Sequence, residues 1–128
     1  MNHQVKDIKL AAQGANQMNW AWNHMPALVA VKERFLRTKP LKGRRIGMAL
    51  HVTKETGALV ETLIAGGAEV AISSCNPLST QDDVAAYLAK KGIAVFAYKG
   101  ENKQDYYKFI KAVIAFKPDM TIDDGCDL

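Results

Sequence analysis

Two cysteines in 128 residues, with no C-x-x-C spacing, leave too little sulfur for a disulfide framework or a cysteine-rich zinc site. Cys75 and Cys126 are therefore expected as free thiols, in keeping with a reducing, cytoplasmic compartment. Long apolar runs are missing too. None approaches the ~20 residues that a membrane span needs. The stretch from Met1 to Lys9, polar and mixed in charge, does not look like a secretory leader. No G-x-G-x-x-G follows a candidate strand, so the chain carries no dinucleotide fingerprint. Gly66-Gly67 comes nearest, but it follows a helical segment and precedes an extended one, the reverse of the required order. It reads as a helix stop. Charge of one sign is not concentrated either. The net charge is +4, and the only tight basic cluster, Lys39, Lys42, Arg44 and Arg45, is broken by Pro40, Leu41 and Gly43. That cluster reads as a solvated approach to the next strand, so neither nucleic acid nor a membrane is an expected partner.

What remains is ordinary globular material: 48% hydrophobic and 23% charged residues. The length suits a single α/β domain over residues 1–128. Asp7 is placed to cap a short segment. From Met18 onward the apolar residues recur at helical intervals, through Trp22 and Met25, then Leu28, Val29, Val31, Phe35 and Leu36 on a second amphipathic run. Pro26 fits that helix's first turn and Pro40 ends it. After Pro40 the period changes. Arg45–Leu50 reads as a strand, and Thr53 or Lys54 starts a helix that Gly66-Gly67 closes. Glu69–Ser73 is a second strand, and Ser79 or Thr80 is expected to cap a helix ended by Gly92. Ile93–Ala97 is a third strand, Gln104–Phe116 a helix, and Met120–Asp123 a fourth strand. Strands alternating with helices predict right-handed crossovers and a mainly parallel sheet. The expected fold is an open α/β sandwich, flavodoxin-like or Rossmann-like, preceded by amino-terminal helices.

In such sheets ligands bind beyond the carboxyl ends of the strands, where the strand order reverses. Those ends carry His51-Val52-Thr53-Lys54-Glu55, Ser74 to Ser79, and Asp123-Asp124-Gly125. Polar chemistry is concentrated there, and all three segments are expected to face one crevice.

These same segments carry a resemblance. Leu50-His51-Val52-Thr53-Lys54-Glu55-Thr56 is similar to the L-H-x-T-x-E-T segment of adenosylhomocysteinases. The block from Ser74 through Asn76, Ser79, Thr80 and Gln81 to Asp83 resembles their S-x-N-x-x-S-T-Q-D, and Asp123 to Leu128 resembles their D-D-G-G-D-L except at Cys126. Val5 to Ile8, His24-Met25-Pro26 and Lys39 to Gly43 match as well, so the resemblance spans nearly the whole chain.

The resemblance implies an NAD-dependent enzyme that reversibly splits S-adenosylhomocysteine into adenosine and homocysteine. By that resemblance bound NAD oxidises the ribose 3′-hydroxyl, the acidified 4′ proton leaves, homocysteine departs from the 5′ position, water adds, and the ketone is reduced again. Mapped by motif, His51 and Asp124 are the acid/base groups near the 5′ position; imidazole suits the work because its ordinary pKa lies near working pH. Thr53 and Glu55 would read the polar edge of adenine and Leu50 its apolar face. Asn76, Ser79 and Gln81 would shape the pocket.

Each residue also has a plainer reading. His51 is otherwise a hydrogen-bonded structural histidine, Thr53 a helix cap, Glu55 a first-turn carboxylate, Leu50 core, and Asp124 a turn residue before Gly125. Cys75 reads as a packed small side chain.

Further expectations follow from the resemblance. NAD would serve the full-length family, but none is expected on this chain alone, which is accordingly expected to be inactive by itself. The chain looks like the amino-terminal part of such an enzyme. The alternatives are a non-catalytic adenosine-binding module and an isolated folding unit. The small-molecule partner is adenosine or S-adenosylhomocysteine. An unpaired sheet edge makes a homo-oligomer the other expected partner. If the position of Cys126 demands positive φ, a cysteine there is strained.

Overall fold

The computed structural model describes residues 3–128; Met1 and Asn2, the start of the polar leading stretch, lie outside them. Asp7 begins the helical region as expected. Its extended backbone lets the carboxylate accept from the Lys9 amide at 2.9 Å, closing the 3-10 turn Ile8–Leu10 that runs into α1 (Ala11–His24). Pro26 is the first residue of α2 (Pro26–Thr38), where a missing amide proton is not needed. That helix stops before Pro40, with Lys39 in the left-handed region (φ 46°) donating its amide to the Phe35 carbonyl.

Then follow β1 (Arg45–Ala49), α3 (Lys54–Ala65), β2 (Glu69–Ser73), α4 (Asp82–Lys90), β3 (Ala94–Phe96), α5 (Lys103–Ala115) and β4 (Met120–Asp123). All four strands are parallel, in the order β3-β2-β1-β4. The open parallel sandwich is thus present, and its strand order is that of the Rossmann-like variant. Gly67, with φ 95°, takes the left-handed conformation that closes α3, whereas Gly66 stays helical.

Side chains alternate across the sheet. Ile46, Met48, Val70, Ile72 and Val95 enter the main core, joined by Met18, Val52, Val60, Val84 and Leu88. Ala71, Ala94 and Val113 form the smaller core against α5. α3 and α4 cover the first face, with α1 and α2 packed outside them, and α5 covers the other. A Cβ on Gly47 would come within 2.9 Å of Pro118 and 3.1 Å of Val113, so glycine there lets the α5 layer sit close on β1. The buried carboxylate of Glu61 accepts from Trp22 at 2.9 Å, Tyr87 at 2.7 Å and Lys91 at 3.1 Å. Burial alone would raise its pKa, but these three donors outweigh it and hold it below the ordinary value. They tie α1 and α4 to α3, the helix that begins beside the strand ends.

One expected cap is corrected. Neither Ser79 nor Thr80 caps α4; the N-cap is Gln81, which makes no side-chain cap bond there. Ser79 is engaged elsewhere, Thr80 is buried, and the Asp83 carboxylate takes the Val84 amide at 2.8 Å. The basic cluster lies at the opposite end of the sheet from the strand ends: Lys39 bonds the Ala65 carbonyl, and Arg45 pairs with Glu69 and lies over Phe116. No helix among the described residues is long and apolar enough to cross a membrane.

Candidate functional site

The order β3-β2-β1-β4 places the reversal between β1 and β4: β2 lies on one side of β1 and β4 on the other. β1 delivers His51 to that point and β4 delivers Asp124. Their Nε2 and Oδ2 atoms are 3.8 Å apart. Adjacent aspartates divide the work as their opposite directions require. Both oxygens of Asp123 turn back into the terminal loop, accepting from the Gly125 amide at 3.0 Å and the Leu128 amide at 2.7 Å. Asp124 is left facing the histidine. The loop is held further by Tyr106, whose hydroxyl donates to Asp127 at 3.2 Å. Burial, reinforced by that carboxylate, pushes the Tyr106 phenol up to about 12.

Behind His51 stands Ser79, with Oγ 2.7 Å from Nδ1. The same hydroxyl reaches the Asn76 carbonyl at 3.3 Å, while Asn76 Oδ1 accepts the Leu78 amide at 2.8 Å and fixes the turn. The rotation of one hydroxyl therefore lets Ser79 satisfy either neutral tautomer. When Ser79 donates to Nδ1, a proton sits on Nε2. When it donates to Asn76, Nδ1 carries the proton and Nε2 offers a lone pair. Either form is available toward Asp124 without moving a heavy atom.

Thr53 is the N-cap of α3; its extended backbone lets Oγ1 accept from the Thr56 amide. Gln81 supplies a second cap, its Oε1 accepting the Lys54 amide at 2.8 Å while its own amide donates to Val52 at 2.9 Å. Leu50, half-buried against the main core, zips β1 to β2 through the Ser73 and Cys75 backbone. Glu55 lies exposed in the first turn of α3, its carboxylate 3.6 Å from Lys54 Nζ. The structure thus gathers His51, Ser79, Asn76 and Asp124 into one cluster and sets Thr53, Gln81 and Glu55 around the adjoining helix start. The side-chain oxygens of Gln81 and Asn76 hold the loops.

Sequence reasoning missed two residues. Cys75, expected as a packed small side chain, is only half-buried, and its Sγ lies with ligand atoms of His51 and Asp124, all within 4.8 Å of one another. No histidine is near it in sequence, but one is near it in space. Burial, then Asp124, raises its thiol pKa, so it is held protonated. Lys54 was not singled out either; its ammonium lies 4.9 Å from the Trp20 ring, which stacks on His24 at 3.9 Å. The sign available beforehand was its position in a helix's first turn at a strand end.

The crevice is open: side chains of His51 and Asp124 are 47% and 64% exposed. A cavity of about 610 Å³ lies elsewhere, between residues 3–8 and Tyr98, Asp105, Lys108 and Phe109, and contains none of the strand-end residues.

A dinucleotide does not fit the residues present. Its pyrophosphate needs free amides at a helix start behind a glycine turn. Here Thr53 and Gln81 take the Thr56 and Lys54 amides of α3, Asn102 takes the Asp105 amide of α5, and α4 opens with Asp82 and Asp83, which repel phosphate.

Comparison with known proteins gives a consistent result. The family model described as S-adenosyl-L-homocysteine hydrolase matches residues 2–128. An adenosylhomocysteinase of Sulfolobus acidocaldarius is 57% identical over 100% of the chain and 31% of its own length. An adenosylhomocysteinase of Aquifex aeolicus is 53% identical over 100% of the chain and 31% of its length. An S-inosyl-L-homocysteine hydrolase of Methanocaldococcus jannaschii is 54% identical over 98% of the chain and 30% of its length. The chain therefore spans about a third of the length of these relatives.

Proposed function

The chain belongs to the S-adenosyl-L-homocysteine hydrolase family, and we propose that it supplies the substrate-binding part of such an enzyme. The crevice beyond β1 and β4 takes the nucleoside half of S-adenosylhomocysteine. His51 and Asp124 handle protons where the 5′ carbon–sulfur bond breaks. The observation that carries this reading is the 3.8 Å approach of His51 Nε2 to Asp124 Oδ2 at the reversal of strand order, with Ser79 behind the ring.

The chemistry follows from the site. Breaking the thioether releases homocysteine sulfur, which needs a proton, and the entering water must lose one. A histidine whose two neutral tautomers Ser79 can both accommodate serves both steps, giving its Nε2 proton to the departing sulfur and taking one there from water. Asp124 steadies the ring when it is charged. In this reading Glu55 accepts a hydrogen bond from a purine edge, beside the cap formed by Thr53, and Leu50 meets the apolar face of the base. Relatives named for adenosyl and for inosyl substrates match the chain about equally; adenosine is the proposed ligand, and inosine tests it.

NAD, implied by the resemblance, is not assigned to residues 3–128, because no phosphate cradle is present. The chain alone is proposed to be inactive, bound nucleoside notwithstanding, and to act in the cytoplasm as part of a longer enzyme. Incubating it with S-adenosylhomocysteine and NAD should yield no sustained homocysteine; steady release would refute that point.

Calorimetry with adenosine and inosine tests the site itself. Saturable heat with adenosine, reduced in Glu55→Ala and stronger than with inosine, is expected. Absence of heat with either nucleoside would leave an isolated folding unit as the better reading. In an enzyme completed by the missing portion of a relative, His51→Ala or Asp124→Asn should lower kcat by roughly 10²–10⁴-fold.

A further inference from the structure

We propose that His51, Cys75 and Asp124 form a binding site for a thiophilic divalent transition-metal cation, Zn²⁺ being the best match. The three residues come from the ends of β1, β2 and β4. They bring imidazole, thiol and carboxylate ligand atoms within 4.8 Å of one another, the only such cluster of three among the described residues. A tetrahedral zinc with bonds of ~2.0 Å to nitrogen or oxygen and ~2.3 Å to sulfur holds neighbouring ligands about 3.3–3.6 Å apart. The His51–Asp124 pair, at 3.8 Å, is already close to that spacing. The widest pair must close by about 1 Å, within reach of side-chain rotation because His51 and Asp124 are exposed.

Three further features favour the assignment. The ligand set mixes one soft sulfur with an imidazole, which selects zinc or cobalt over magnesium or calcium. The histidine is already oriented from behind: with Ser79 donating to the Asn76 carbonyl, Nδ1–H donates to Ser79 Oγ and the Nε2 lone pair faces the cation. Three protein ligands leave a fourth position open to water, as in exposed rather than structural zinc sites. A coordinating thiol must lose its proton on binding, so metal uptake releases acid and weakens as pH falls. This site stands on geometry alone. It shares His51 and Asp124 with the proton-handling pair of the proposed function, so a bound cation would withhold them from that role, while cobalt binding and nucleoside binding are read in separate titrations.

Cobalt(II) chloride is the probe, titrated into the intact chain under reducing conditions. One equivalent should produce a thiolate-to-cobalt charge-transfer band in the near ultraviolet, displaced by zinc chloride but not by magnesium chloride. The band should vanish in Cys75→Ser and persist in Cys126→Ser. Affinity should fall roughly 10- to 100-fold in Ser79→Ala through loss of the outer hydrogen bond. Asp124→Asn, at an exposed position, provides a second variant whose weaker cobalt binding is expected with the fold unchanged by circular dichroism. No thiolate band at stoichiometric cobalt, or a band lost in Cys126→Ser and kept in Cys75→Ser, would overturn the site.

Discussion

The amide of Lys54 rests on Oε1 of Gln81 at 2.8 Å, so the start of α3 is capped from the next strand–helix loop as well as by its own Thr53. The two loops that flank the crevice are therefore one unit. Val52 adds to the joint by accepting the Gln81 amide.

Loss of either cap should destabilise the chain. Thr53→Ala and Gln81→Ala are each expected to cost about 1 kcal/mol, from urea unfolding followed by circular dichroism. Thr53→Ser keeps the cap and should retain stability. A nucleoside affinity lost in Thr53→Ala but kept in Thr53→Ser would thus report the hydroxyl. If both alanine variants unfold like the parent chain, the caps are not holding the loops.

Much of the fold was legible because local rules decide it. Pro26, Pro40, Gly67 and Gly92 mark ends that backbone sterics alone enforce, and the apolar periods between them separate strands from helices. The strand ends could likewise be read as the place where polar side chains gather. What could not be read is what depends on contacts between distant segments. Right-handed crossovers do not say on which side of β1 the fourth strand lies, so the reversal at β1 and β4 required the structure. Ser79 looked like a cap because its neighbours in sequence suggest one; its hydroxyl is instead drawn to His51, 28 residues away. Gln81 and Cys75 owe their roles to the same convergence.

Ser79→Ala separates positioning from stability. The bond to His51 is exposed, so its removal should change unfolding free energy by no more than about 1 kcal/mol. The imidazole, however, loses the contact that fixes its tautomer and ring angle. Nitrogen NMR of the His51 ring should show a changed balance of its two tautomers and broader lines. Unchanged ring-nitrogen shifts would remove Ser79 from the proton path.

Glu101 makes a pH-dependent prediction. It is only 6% exposed, and neither carboxylate oxygen has a hydrogen-bond partner. Burial pushes its pKa up to about 7, which the nearby Tyr98 amide offsets only in part and Asp105 reinforces. Between the ordinary value of 4.5 and about 7, the folded chain holds this proton more tightly than the unfolded chain. Its contribution to stability therefore falls as pH rises through that window and levels off above it. Glu101→Gln removes the penalty and should gain on the order of 1–3 kcal/mol over the parent at pH 8 while differing little at pH 4.5. Equal differences at both pH values would mean that the carboxyl is not buried uncharged.

Cys126 occupies the position where the aspartate segment departs from its resemblance, and its φ is 59°. In that region a side chain bearing Cβ crowds the following carbonyl, at about 1–2 kcal/mol, whereas glycine meets no such contact. The strain is expected to be tolerated because the surrounding loop is over-determined: Asp123 binds both Gly125 and Leu128, and Tyr106 holds Asp127. Cys126→Gly should then raise stability by no more than about 1 kcal/mol, since glycine also gains freedom in the unfolded chain. Cys126→Ala, which keeps the Cβ, should leave it unchanged. The pair distinguishes relief of backbone strain from loss of an exposed thiol: a gain shared by both variants would place the effect in sulfur chemistry, and a gain confined to glycine would place it in the backbone that aims Asp124.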